Sequence, residues 1–151
     1  MKLCIINDTH FGVRNDSAVF LEHFILFFEE QFFPYCVDNN IDTVLHLGDF
    51  FDRRKYINFK VLNQVRKRII DKFKDNNITL HVVIGNHDTF YKNTNNINSV
   101  KELMHSYDNI LIYDSPAVVD FGNMCMGLVP WINDYNKEEV VGHELAEVKI
   151  F

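Results

Sequence analysis

Three apolar, strand-like runs each end on a short polar motif, and a helix-length segment separates each from the next. Residues 2–7 (KLCIIN) lead into Asp8-Thr9-His10, residues 42–47 (DTVLHL) into Gly48-Asp49, and residues 79–84 (TLHVVI) into Gly85-Asn86-His87-Asp88. The motifs lie 41 and 37 residues apart, counted from Asp8 to Asp49 and from Asp49 to Asn86. Such spacing admits one helix between consecutive strands, so the strands run parallel. Ligands on parallel sheets gather beyond the carboxyl ends of the strands, and all three motifs fall there.

The intervening segments carry helical periodicity. Residues 16–39 read as a helix that Asp16 or Ser17 can cap, with Val19, Phe20, Phe24, Phe27 and Phe28 at helical spacing, and Pro34 is expected to kink or end it. Residues 58–75 read as a second helix with Val61, Leu62, Val65, Ile69, Ile70 and Phe73 facing inward. A shorter helix over 97–107 turns Val100, Leu103 and Met104 inward. Strands are expected at 110–113, 117–121 and 124–129, the last two joined by the hairpin dipeptide Gly122-Asn123, and a last amphipathic helix over 136–149. Residues 93–98 (NTNNIN) are polar enough for a mobile loop. The order βαβαβα followed by a β-meander predicts an α/β sandwich, a mostly parallel first sheet with flanking helices.

A chain of 151 residues is long enough for one domain with a real core and too short for two. The N-terminus enters a strand at once, without a signal or transit segment, and Glu29, Glu30 and Gln31 interrupt the longest apolar stretch. Cys4, Cys36 and Cys125 lie in apolar runs without metal-binding spacing and read as reduced core thiols. These features predict a cytoplasmic protein with no membrane span. The net charge of −6 disfavours a freestanding module that coats nucleic acid through basic residues. It does not disfavour a nuclease, because clustered carboxylates bind dications that invert the local charge.

Asp8 and His10 are two residues apart on an extended segment, so both can turn toward one ion. Asp49 offers two oxygens and can bridge two ions, and Asn86 adds a neutral amide oxygen. This mixed oxygen and nitrogen set suits Mn²⁺, Fe²⁺ or Zn²⁺ better than Mg²⁺. His87 is expected to face the substrate and to donate to a phosphate oxygen or protonate a leaving alkoxide. Asp88 is expected to orient the imidazole of His87 or His10. Taken singly, Asp8 or Asp49 can equally cap a helix. His46 and His81, in mid-strand, read as core histidines, and His23 and His105 as surface or structural residues.

The three motifs together resemble those of the calcineurin-like metallophosphoesterases. Asp8-Thr9-His10-Phe11-Gly12 and Leu47-Gly48-Asp49-Phe50-Phe51-Asp52-Arg53-Arg54 resemble segments of the SbcD-type DNA-repair nucleases, with Phe11 where that group usually has Leu. Val83 to Asp88, Tyr91-Lys92-Asn93 and Val129-Pro130-Trp131 are similar to the phage recombination nuclease subunits of that group. The resemblance implies a Mn²⁺-dependent exo- and endonuclease acting on DNA ends in double-strand-break repair or recombination. It implies a dimer with an ABC-type ATPase partner. By position, Asp8, His10 and Asp49 would hold one metal ion, Asp49 and Asn86 a second, and His87 would be the catalytic histidine. Arg53, Arg54 and Lys55 would contact phosphate, or else form a solvated charge run.

The resembling nucleases draw further histidines from their second half, including a G-H-x-H pair, and this sequence reaches Phe151 without one. Residues 1–151 are therefore expected to be the N-terminal part of a nuclease domain. The ligand-bearing C-terminal portion would come from a complementing polypeptide, and the second sheet would be incomplete without it. An uncovered sheet edge predicts oligomerisation or poor solubility. Gly142-His143 superficially matches one missing histidine, but it falls inside the 136–149 helical pattern and reads as helix surface. Two other functions use the same motifs: a phosphatase or phosphodiesterase for small molecules or nucleotides, and a non-catalytic remnant serving assembly.

Overall fold

A computed structural model describes residues 2–142. Four strands, β1 (Leu3–Ile6), β2 (Thr43–His46), β3 (Thr79–Val83) and β4 (Ile110–Tyr113), form one sheet in the order β1-β2-β3-β4. All neighbours are parallel, with Leu3 opposite Thr43, Thr43 opposite Thr79, and Leu80 opposite Ile110. β5 (Ala117–Asp120) and β6 (Cys125–Leu128) pair antiparallel as a second sheet. β4 thus departs from the expected meander: it joins the parallel sheet because the short helix before it returns the chain to the β3 edge.

The first helix, α1, runs through Ala18–Phe27, a π segment over Phe28–Phe32, and Phe33–Asp38. The second, α2, repeats the plan through Phe59–Val65, a π segment over Arg66–Ile70, and Asp71–Asp75. α3 spans Ser99–Met104 and α4 Lys137–Gly142. Asn58 caps α2 by accepting from the Lys60 and Val61 amides, and Asn98 caps α3 by accepting from Lys101. The expected extension of α4 to residue 149, with His143, lies outside the described residues.

Pro34 does not end α1. In an α-helix its ring would collide with the carbonyl four residues back, and the wider π turn just before it, closed by the Phe33 amide on the Phe28 carbonyl, relieves that clash. The buried stripe of α1 is Leu21, Ile25, Phe28, Phe32, Phe33 and Cys36, while Val19, Phe20 and Phe27 are exposed. Of the five residues read at helical spacing, Phe28 is buried and Phe24 partly buried, so that spacing is out of phase with the buried stripe. In α2 the expected face holds, with Val61, Val65, Ile69, Ile70 and Phe73 buried and Leu62 packed beside them.

The layers follow from the alternation of strand side chains. Val44, Leu80, Val82 and Ile110 point into the main core with α1, α2 and α3. Leu45 and Val83 point the other way and meet Leu128 of β6, with Leu3, Tyr113, Val119 and Met126 alongside. Cys36 is buried as expected, Cys4 is half-buried, and Cys125 is exposed on the thinly covered second sheet.

The 93–98 segment is also anchored, against expectation. Asn95 and Asn98 are buried, and Asn95 donates to the carbonyls of Asp114 and Trp131 while its own Oδ1 accepts from Asn133. Asparagine amides satisfy backbone groups there that would otherwise lie buried without partners. Among the described residues no helix is long and apolar enough to cross a membrane.

Candidate metal centre

The loops after β1 and β2 continue the parallel ladder beyond the strands. The amides of Asp8, His10 and Phe11 donate to the carbonyls of Gly48, Asp49 and Phe50 at 3.1, 3.0 and 3.0 Å. Asp8, His10 and Asp49 adopt left-handed backbone conformations, with φ of 54, 41 and 55°. Each such conformation costs a non-glycine residue roughly 1–3 kcal/mol, and clusters of them mark sites where side-chain aim outweighs backbone comfort.

The side chains of these residues meet around His10 Nε2. His10 Nε2 lies 3.5 Å from Asp8 Oδ1 and 3.7 Å from Asp49 Oδ2. His10, Asp49 and His87 each bring a ligand atom within 4.8 Å of the others. Asp49 Oδ1 accepts the His87 amide at 2.8 Å, which leaves its other oxygen to the centre. Asn7 donates from its side chain to Asp8 Oδ2. Asp8, Asp49 and Asn86 also line a cleft of about 510 Å³, whose far wall is Val129, Pro130, Trp131 and Ile132.

These residues fit a metal ion. Separations of 3.5 and 3.7 Å are too long for hydrogen bonds but match two ligands each about 2.1 Å from a shared cation. His10 Nδ1 is buried with no hydrogen-bond partner, and Asp52 Oδ1 stands 3.7 Å from it. A carboxylate behind the far nitrogen of a histidine is the usual arrangement at metal sites.

Asp52 is the residue that sequence reasoning missed. Its backbone carbonyl accepts from His87 Nδ1 at 2.6 Å, so one residue addresses both histidines. Its position three residues after Asp49 was the available signal. Because a carbonyl only accepts, Nδ1 of His87 carries a proton. The neutral ring then presents an Nε2 lone pair, and donation from Nε2 requires the imidazolium. The rings of His10 and His87 meet edge to face with centroids 4.8 Å apart.

Asp88 does not orient either imidazole. Its fully buried carboxylate accepts from the amides of Asp49, Phe50 and Phe51 at 2.9, 2.9 and 3.2 Å, and of Gly85 at 2.9 Å. The turn over Gly85–Asp88 folds the side chain back beneath the strand ends and away from the rings. Burial pushes its carboxyl up to about 6 against the opposing pull of these amides.

The expected phosphate contacts are engaged elsewhere. Arg53 donates to Asp16 Oδ2 and Asn15 Oδ1, both at 2.8 Å, and holds a left-handed turn in which Arg14, Asn15 and Asp16 all have positive φ. Arg54 reaches Thr89 Oγ1 at 3.3 Å, and Lys55 Nζ sits 5.5 Å from the Phe90 ring centroid. All three line a separate groove with Phe59, Leu62 and Phe90.

His46, as expected, is buried, and desolvation depresses its pKa to about 3, with the nearby His10 adding to the effect. His81 is lowered for the same first reason. A histidine whose folded pKa is depressed leaves stability intact above about pH 6.5, and that stability is lost as the pH falls toward the folded value. Asp88 acts oppositely over part of this window, because its raised pKa favours the protonated folded state. A difference between variants isolates the histidine. Replacing His46 by Gln is expected to make the ion-free protein about 2 kcal/mol more stable at pH 5, relative to its offset at pH 7.5. Urea unfolding at the two pH values measures this, and an unchanged offset would place the His46 pKa near its ordinary value.

Residues 1–145 match the family described as calcineurin-like phosphoesterase. Exonuclease subunit 1 of Enterobacteria phage T4 is 36% identical over 143 residues, covering 95% of this chain and 42% of that protein. The DNA double-strand break repair protein Mre11 of Saccharolobus solfataricus is 30% identical over 123 residues, covering 79% of this chain and 31% of that protein. The chain thus spans less than half the length of these curated relatives. With its motif residues gathered at the carboxyl ends of the first three parallel strands, the chain belongs to the calcineurin-like phosphoesterase family of metal-dependent hydrolases.

Proposed function

We propose that this chain is the metal-binding part of a DNA nuclease of double-strand-break repair or recombination. The convergence of His10, Asp49 and His87, with Asp8 adjoining, carries the reading. The identities of the two relatives, an exonuclease subunit and a DNA double-strand break repair protein, support DNA as the substrate over small phosphate esters.

Asp8, His10 and Asp49 would hold one divalent ion, and Asp49 with Asn86 a second, with Mn²⁺ the ion best suited to this donor set. When bound, such ions acidify water and offset the charge that develops on a phosphoryl group. The chain's own residues supply the rest. Asp52 fixes the tautomer of His87 through its carbonyl, so that Nε2 takes a proton in the neutral state and gives one to a phosphate or leaving oxygen as the imidazolium. The apolar wall of Val129, Pro130 and Trp131 limits water on one side of the cleft.

The active assembly would include a C-terminal portion completing the ligand set, a second copy of the chain and an ABC-type ATPase subunit, inside a bacterial or phage-infected cell. The test is Mn²⁺-dependent hydrolysis of end-labelled duplex DNA by the chain combined with its C-terminal complement. Asp49→Ala is expected to lower the rate at least 100-fold, since the carboxylate would serve both ions. Hydrolysis of nucleotide esters with duplex DNA left intact would contradict the DNA reading.

A further inference from the structure

Directly behind the centre lies a buried hydrogen-bond relay that the proposed chemistry does not use. His46 closes β2 and is fully buried. The Gly48 amide donates to its Nδ1 at 3.2 Å, and an amide can only donate, so Nδ1 carries no proton. The neutral ring must then hold its proton on Nε2, which faces Thr9 Oγ1 at 3.0 Å. The Thr9 hydroxyl in turn donates its single hydrogen to the Phe50 carbonyl at 3.1 Å.

The relay therefore runs in one direction, from the Gly48 amide through the imidazole and the Thr9 hydroxyl to the Phe50 carbonyl. It starts and ends on the two residues flanking Asp49 and passes through the residue between Asp8 and His10. The Phe50 ring packs on the imidazole at 5.0 Å between centroids, closing the space around it. Both ring nitrogens and the hydroxyl hydrogen are matched, so a change at either residue leaves a buried group unpaired beside the strained backbone.

We propose that His46 and Thr9 are a positioning pair that sets the spacing of the Asp8–His10 loop against the Asp49 loop, and thereby the ion affinity of the centre. The inference rests on the metal-centre reading above. Neither residue belongs to the converging group of His10, Asp49 and His87; both act through the backbone that carries Asp8, His10 and Asp49. Outer residues of this kind govern metal affinity by roughly 10–100-fold.

The test is Mn²⁺ titration of the full chain, followed by electron paramagnetic resonance of the free ion, beside thermal unfolding of the same samples. Thr9→Val keeps the side-chain shape and removes the hydroxyl; His46→Ala removes the ring. Each is expected to weaken ion binding by about 10–100-fold. Thr9→Ser should restore binding to within about threefold, as should His46→Gln, whose amide supplies one donor and one acceptor. The double variant should bind no more weakly than the poorer single one, because the pair acts as a unit.

His81→Ala is the control, since His81 is a buried histidine that pairs with Tyr113 at 2.8 Å, away from the centre. It should lower the melting temperature and leave Mn²⁺ affinity unchanged. Thr9→Val binding as tightly as the parent chain would overturn the proposal. So would affinities that follow the melting temperature equally in all variants, His81→Ala included. A parent chain that binds no Mn²⁺ would instead bring down the metal-centre reading, and this proposal with it.

Discussion

Gly85→Ala is expected to abolish ion binding while leaving the chain folded at low temperature. A Cβ at Gly85 would fall on the carboxylate and amide of Asp49, and a Cβ at Gly48 would come within 2.8 Å of the Gly85 Cα and amide nitrogen. The two glycines let the β2 and β3 loops touch backbone to backbone, which places Asp49 Oδ1 on the His87 amide. Inserting a methyl group there forces the loops apart, and the carboxylate that both proposed ions need moves with them. Overpacking of this kind costs about 1–3 kcal/mol, so the fold survives while the site does not. Titration with Mn²⁺ and thermal unfolding together check the result. Gly122→Ala in the β5–β6 turn, where nothing lies within 4 Å, should leave ion binding unaffected. Unchanged affinity in Gly85→Ala would mean that Asp49 does not depend on this contact.

Asp88→Ala is expected to have the larger effect on stability. The carboxylate accepts from four backbone amides, three in the Asp49 loop and one in its own turn. Removing it leaves those buried donors without a partner, at about 1–3 kcal/mol each for the ones that water does not reach. A total loss of at least about 3 kcal/mol follows, read by urea unfolding. Asp88→Asn should recover only part of it, because the amide substitutes an N–H for one of the two accepting oxygens. A loss below 1 kcal/mol for Asp88→Ala would show that the loop holds itself without this anchor.

Much of this was legible in the sequence for a physical reason: strands with one motif each, and a helix between, leave the chain few ways to pack. The inner face of α2 could be read from Val61, Val65, Ile69, Ile70 and Phe73, since Asn63-Gln64, residues 66–68 and Asp71-Lys72 break the apolar positions into a helical repeat. In α1 so many positions are aromatic that several phases fit, and the buried stripe was decided by contact with Phe73 across the helix pair. The polar run at 93–98 looked mobile because its partners, Asp114, Trp131 and Asn133, lie far along the chain.

The site divides in the same way. Asp8, His10, Asp49, Asn86 and His87 stand out by type and spacing; in the structure His10, Asp49 and His87 converge, and Asp8, Asp49 and Asn86 line the adjoining cleft. The parts that escaped act through the backbone. Asp52 reaches His87 with a carbonyl that every residue possesses, and Asp88 reads like a side-chain orienter but serves amides. His46 is tied to the Asp8–His10 loop through Thr9, which is 37 residues away in sequence.

The metal centre itself is tested most directly by counting Mn²⁺ bound to the isolated chain and to Asp49→Asn, using electron paramagnetic resonance of the free ion. A metal centre here predicts saturable binding by the parent chain and a loss of at least about 100-fold in affinity for Asp49→Asn, because one carboxylate would be shared by both proposed ions. Equal binding by the two proteins would contradict it.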